Sequence, residues 1–198
     1  MDATPPPLPS GASGDFVVVE DSGEFSYYRS PEALLADFEY VGEAPCIIDR
    51  GATTYRLELD KNRHLRLGPP LGSVEFHWLR QALAEAREVH PESHRLQRVD
   101  PGGLAGLVAG LFETLQLERG TGVELGLWSL DIDGLATRRN ALADVDRLLA
   151  GNNRLDTVLV TDPFGHQYCP VWHPKHRHLG HAGYFSYVEV PARRRPRG

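Results

Sequence analysis

Between Phe16 and Leu67 the apolar residues come in runs of only a few positions, each closed by Gly, Pro, Asn or Asp. This rhythm constrains the fold more than any other feature of the chain. Phe16 to Glu20 and Glu24 to Tyr28 flank Asp21-Ser22-Gly23, a short turn, and predict a β-hairpin. Cys46 to Asp49, Thr53 to Leu59 and Arg63 to Leu67 read as three more short strands, parted by Arg50-Gly51 and Asp60-Lys61-Asn62. The middle run alternates Tyr55, Leu57 and Leu59 with Thr54, Arg56 and Glu58, the signature of a half-buried antiparallel strand.

Helical periodicity fills the gaps. Ser30-Pro31-Glu32 supplies a cap, a first-turn proline and an acid for a helix running to about Glu39, with Leu34, Leu35 and Phe38 inward. Ser73 is placed to cap a second helix to about Val89, whose broad apolar face holds Val74, Trp78, Leu79, Ala82, Leu83 and Ala86. A third helix follows Asp100-Pro101, and in it Gly102, Gly106 and Gly110 form a bare stripe that permits close approach of another backbone, so a homodimer seam stays open. Val123 to Leu130, Ala136 to Ala150 and Thr157 to Thr161 read as strand, helix and strand, which predicts a parallel pair. Gln167 to Trp172 and Gly183 to Val190 complete the pattern. Trp78, Trp128 and Trp172 are expected as core anchors. The expectation is an α+β protein of mostly antiparallel short strands with about four helices and a β-α-β element in the C-terminal half.

The organisation expected is a disordered Pro-rich segment over 1–14, an N-terminal α+β unit over 15–90 and a polar connector over 91–100. A C-terminal α/β unit over 101–190 follows, sharing one core with the first or separate from it, and then a basic tail over 191–198. The formal charge is −6, and the tail carries Arg193, Arg194, Arg195 and Arg197, so residues 1–190 hold −6 minus 4, or −10. An acidic body argues against nucleic-acid binding by the folded part, leaving only weak phosphate contact by the tail. No apolar run is long enough for a membrane span, the start of the chain lacks a secretory pattern, and only Cys46 and Cys169 are present, all of which predict a cytoplasmic location.

Candidate chemistry concentrates in residues 166–181, where His166, Cys169, His173, His176, His178 and His181 lie close together. Cys169 with His173, His176, His178 and His181 is the donor set that would suit tetrahedral zinc. The spacing has no second Cys pair, and the same loop read as solvent-exposed imidazoles titrates near neutrality, with Lys175 and Arg177 making it a cationic patch for an anion or acidic partner.

Leu130-Asp131-Ile132-Asp133-Gly134 resembles the Asp-x-Asp-Gly opening of haloacid-dehalogenase-like phosphatases. That resemblance implies Asp131 as nucleophile, Asp133 as general acid/base, Thr161 on the phosphoryl oxygen and magnesium as cofactor. Leu135 stands where the family has Thr. Asp and Gly at this place also suit a plain turn. Ala136 to Trp172, with Asp162-Pro163-Phe164-Gly165 between two strands, is similar to half of a CBS-type nucleotide-sensing unit. Without a complete catalytic constellation, the leading expectation is a non-enzymatic binding module, immunity-, antitoxin- or adaptor-like, that meets a protein partner through its acidic surface and needs no cofactor.

Overall fold

The computed structural model describes residues 14–99, 101–119, 126–152, 154–174 and 183–190. Strands β1 (Phe16–Val19) and β2 (Phe25–Tyr28) form the expected hairpin, with Gly23 at φ 82° supplying the left-handed turn. Helix α1 (Pro31–Asp37) starts where the side chain of Ser30 accepts the Ala33 amide. Strands β3 (Cys46–Asp49) and β4 (Thr53–Tyr55) follow, and then β5 (Leu57–Leu59) pairs with β6 (Leu65–Leu67). The run from Thr53 to Leu59, expected as one strand, is broken at Arg56. The first half stays beside β3 and the second forms a separate two-stranded ribbon.

Strand β7 (Gly72–Ser73) closes the order β2-β1-β3-β4-β7, and helix α2 (Phe76–Val89) follows. Ser73 is thus part of the sheet, and the α2 cap is Glu75, whose carboxylate accepts the amides of His77 and Trp78. Strand β8 (Leu96–Gln97) and helix α3 (Leu104–Glu118) come next. Gly102 and Gly106 of the predicted stripe are exposed, while Leu107, Val108, Leu111 and Phe112 form the buried side.

The remaining elements are β9 (Trp128–Ile132), β10 (Leu135–Arg139), helix α4 (Leu142–Leu149), β11 (Val158–Thr161), β12 (Gln167–His173) and β13 (Tyr184–Glu189). They make a six-stranded sheet, β10-β9-β11-β12-β13-β8, antiparallel except for β13 with β8. The fold is therefore α+β, mostly antiparallel, with a β-α-β succession from β8 through α3 to β9.

The expected parallel pair of β9 with β11 is antiparallel instead. The cause is a strand read as helix. Asp133 at φ 52° and Gly134 at φ 85° make a two-residue turn that sends Leu135–Arg139 back along β9 before α4 begins. The crossover through α4 then joins β10 to β11, which run the same way on either side of β9. Pro170 lies just past the two residues of β12 that pair with β11, so its missing N–H interrupts no ladder there.

The chain divides into two compact units, 1–86 with 102–112 and 87–101 with 113–198. In the first, Phe16, Val18, Ile47, Tyr55, Leu57 and Leu34 form the core beneath α1. β1 is buried along its whole length, and Phe112 sets its ring edge to Tyr27 at 6.3 Å. In the second, Trp128, Leu130, Val160, Tyr168, Phe185 and Tyr187 point from one sheet face onto Leu142, Val145 and Leu149 of α4. Of the three tryptophans only Trp128, 2% exposed, is a core anchor, whereas Trp78 is 43% and Trp172 46% exposed. Among the described residues no helix is long and apolar enough to cross a membrane.

Candidate functional site

Among the described residues, a dense gathering of ionisable side chains surrounds Arg98, in the segment whose sequence reads as a connector. Its guanidinium donates Nη1 to Glu113, Nη2 to Asp162 at 3.0 Å and Nε to the Tyr168 hydroxyl at 3.0 Å. Tyr168 in turn donates to Asp162 at 2.8 Å. The other oxygen of Asp162 accepts the amides of Phe164 and His166, both at 2.9 Å. His166 Nδ1 lies 2.6 Å from Glu189, whose second oxygen accepts the Val99 amide.

Burial alone would make the Arg98 guanidinium easier to deprotonate, but Glu113, Tyr168 and Asp162 outweigh it and hold its pKa above the ordinary value. Burial, reinforced by Asp162, pushes the Tyr168 phenol up as well. Arg98 thus faces the carboxylates of Glu113 and Asp162 inside the protein. Such paired groups tie together the elements that carry them. Asp162, His166 and Tyr168 lie close together in sequence, but Arg98, Glu113 and Glu189 are far from them in the chain.

The predicted zinc ligands are only partly within view. Cys169 and His173 do share one face of β12, but four residues of strand put their Cα atoms about 13 Å apart. His173 Nε2 is also 2.8 Å from Ser186 Oγ, and its ring stacks on Tyr184 with 4.6 Å between centroids. His176, His178 and His181 lie outside the described residues. Among the described residues no three His, Cys, Asp or Glu side chains converge as metal ligands.

The residues that resemble a phosphatase opening serve a hairpin. Asp131 Oδ1 accepts the Gly134 amide at 2.8 Å, and Asp133 is the left-handed first residue of the β9–β10 turn. Thr161 lies on β11 opposite Ser129 and Gln167. The helix, strand, Asp162–Gly165 turn and strand that are similar to a CBS half-unit are α4, β11 and β12, with the turn acting as a hairpin loop.

A concave surface opens in the first unit, where the end of the five-stranded sheet meets the first turn of α2. It holds about 490 Å³ and is floored by Val19, Cys46, Thr54 and Val74. Trp78 and Leu71, the latter 56% exposed, form apolar walls. Glu20, Asp21 and Glu75 line it beside a single cation, Arg56. Amides of His77 and Trp78 hold Glu75 below the usual carboxylate range, so it stays ionised. Burial pushes the Cys46 thiol up against the opposing pull of Arg56, which keeps it a neutral, unreactive group.

No protein-family model, curated protein or solved structure matches this chain.

Proposed function

We propose that the protein is a non-enzymatic binding module, of the immunity, antitoxin or adaptor kind, and that the groove between β7 and α2 takes an extended, positively charged segment of a protein partner. The observation that carries this reading is the groove itself: two large apolar side chains held in solvent above a floor flanked by three carboxylates and one guanidinium. An exposed Trp is costly to leave in water and is the preferred platform for an arginine or lysine side chain. Glu20, Asp21 and Glu75 supply the complementary charge, matching the net −6 of the chain. A catalytic reading finds less support. The one thiol in the groove is held protonated, and the charges around Arg98 are spent on one another.

The test is a solution titration of the labelled protein with two extended peptides identical but for arginine in one and glutamate in the other. The arginine peptide should shift the amide signals of Val19 to Asp21, Thr54 to Arg56 and Trp78, and Trp78→Ala should abolish the effect. Equal response to the glutamate peptide, or shifts elsewhere on the protein, would show the groove reading to be wrong. Turnover of phosphate monoesters lost in Asp131→Asn would overturn the non-enzymatic reading altogether.

A further inference from the structure

Strand β10 is an open edge. On one side it pairs with β9, and among the described residues no strand lies on the other. It is well exposed, with Leu135 74% accessible. The two-residue turn at Asp133-Gly134 makes Ile132 and Leu135 the closing pair, and in such hairpins the closing pair bonds to itself. Backbone groups then alternate: Leu135, Thr137 and Arg139 turn theirs to β9, whereas Ala136 and Arg138 turn theirs outward. The Arg138 carbonyl agrees with this, since it accepts the Arg139 guanidinium at 2.7 Å and so faces away from the ladder.

Two further features coincide on this strand. Thr137, at its centre, carries the side-chain oxygen that is buried with no hydrogen-bond partner among the described residues. The strand also has a charge asymmetry about Thr137: Arg138 lies on one side, while on the other Ala136 faces Asp131 of β9.

We infer that β10 pairs antiparallel with β10 of a second copy of this chain, about a two-fold axis at Thr137, joining two six-stranded sheets into one. In that register Ala136 opposes the second copy's Arg138. Their outward N–H and C=O groups exchange two hydrogen bonds, and the symmetry repeats them. The two Thr137 residues face each other as a non-hydrogen-bonded pair with close side chains, and a rotation about χ1 out of the present buried setting lets the two partnerless hydroxyls meet. Arg138 of one copy reaches over the small Ala136 of the other toward Asp131, again twice. No arginine stands directly opposite another. A strand paired to an unrelated peptide would satisfy the backbone but would not account for the match of Arg138 with Asp131 or the central threonine.

Sedimentation of the full chain over a range of concentrations tests this. The wild type should go reversibly from monomer to dimer. Ala136→Pro removes an outward N–H that the monomer does not use, and the edge position tolerates the ring. It should weaken the dimer by about tenfold or more while leaving the circular dichroism spectrum unchanged. Arg138→Glu should also weaken it, and adding Asp131→Asn, which lifts the repulsion while keeping an acceptor for the Gly134 amide, should partly restore it. In a Cys169→Ser background, Thr137→Cys should give a covalent dimer on mild oxidation and Leu135→Cys should not, because only the residue on the axis meets its own copy. A monomer at every concentration overturns the inference, as does a dimer indifferent to Ala136→Pro.

Discussion

Asp49 in the first unit and Asp162 in the second stand in the same local device and stabilise it by different means. Each ends a strand and opens a hairpin loop in which the residue three positions on is left-handed: Ala52 at φ 63° and Gly165 at φ 94°. Each accepts, through its side chain, the amide four positions on, Thr53 or His166. Each takes a hydroxyl from the tyrosine six positions on, Tyr55 at 2.9 Å or Tyr168 at 2.8 Å. The difference is Arg98. Asp162 is neutralised by a cation, whereas the donors seen on Asp49 are all neutral, and burial together with Asp49 pushes the Tyr55 phenol up to about 12. A third loop, Asp60 to His64, repeats the geometry with Arg63 at φ 64° but has no tyrosine six residues on and lies in solvent. The loop itself is thus written by Asp and a left-handed residue, and what anchors it is decided by its surroundings.

If Arg98 is what lets Asp162 be buried, Arg98→Met should cost about 3–5 kcal/mol in urea unfolding, since two acids lose their cation at once. A loss near zero would mean that the loop needs no counter-charge and would erase the distinction. Glu118 extends the comparison to a carboxyl that accepts the Leu96 amide at 2.6 Å. Burial raises its pKa to about 8, against the pull of that amide and of Arg95 and Arg87. The folded state therefore holds a proton that the unfolded chain releases near its ordinary value of 4.5. Stability should be full below that value and fall as pH rises toward 8, by on the order of 5 kcal/mol. Glu118→Gln should flatten this slope, and an unchanged slope in thermal melts would refute the assignment.

In the neutral loop, Asp49→Ala strips the Tyr55 hydroxyl and the Thr53 amide of their acceptor and should cost about 2 kcal/mol, less than the loss of Arg98. Arg63→Gly in the exposed loop is the smallest effect and has the opposite sign. It relieves a left-handed side chain with nothing buried to lose and should stabilise by up to about 1 kcal/mol, read as a rise in midpoint.

Where local chemistry decided the outcome, the residues announced it: Asp21-Ser22-Gly23 for the first hairpin, Ser30-Pro31 for α1, and Cys46 to Asp49 for β3. Where one apolar pattern fits two periods, it misled. Ala136 to Ala150 contains enough leucine and alanine for one helix, yet the Asp133-Gly134 turn commits its first residues to a strand. Trp78 fits the apolar face of α2 by spacing, but it lies in the first turn, next to the open end of the sheet. The groove had no local sign, and of the Arg98 network only the Asp162 turn and His166 stood out. Arg98 lies 64 residues from Asp162 and 70 from Tyr168, so only the folded chain brings them together.

The parallel ladder between β8 and β13 sets the tempo at which the second unit can form. Leu96 lies opposite Tyr187, so the sheet cannot finish until nearly all the intervening chain has been synthesised and arranged. Such distant partners pay loop-closure entropy before any reward, which makes this step slow. Until then the groups that β13 will cover on β12 and β8 stay unclaimed, and a nascent or refolding molecule is most vulnerable to aggregation along that seam.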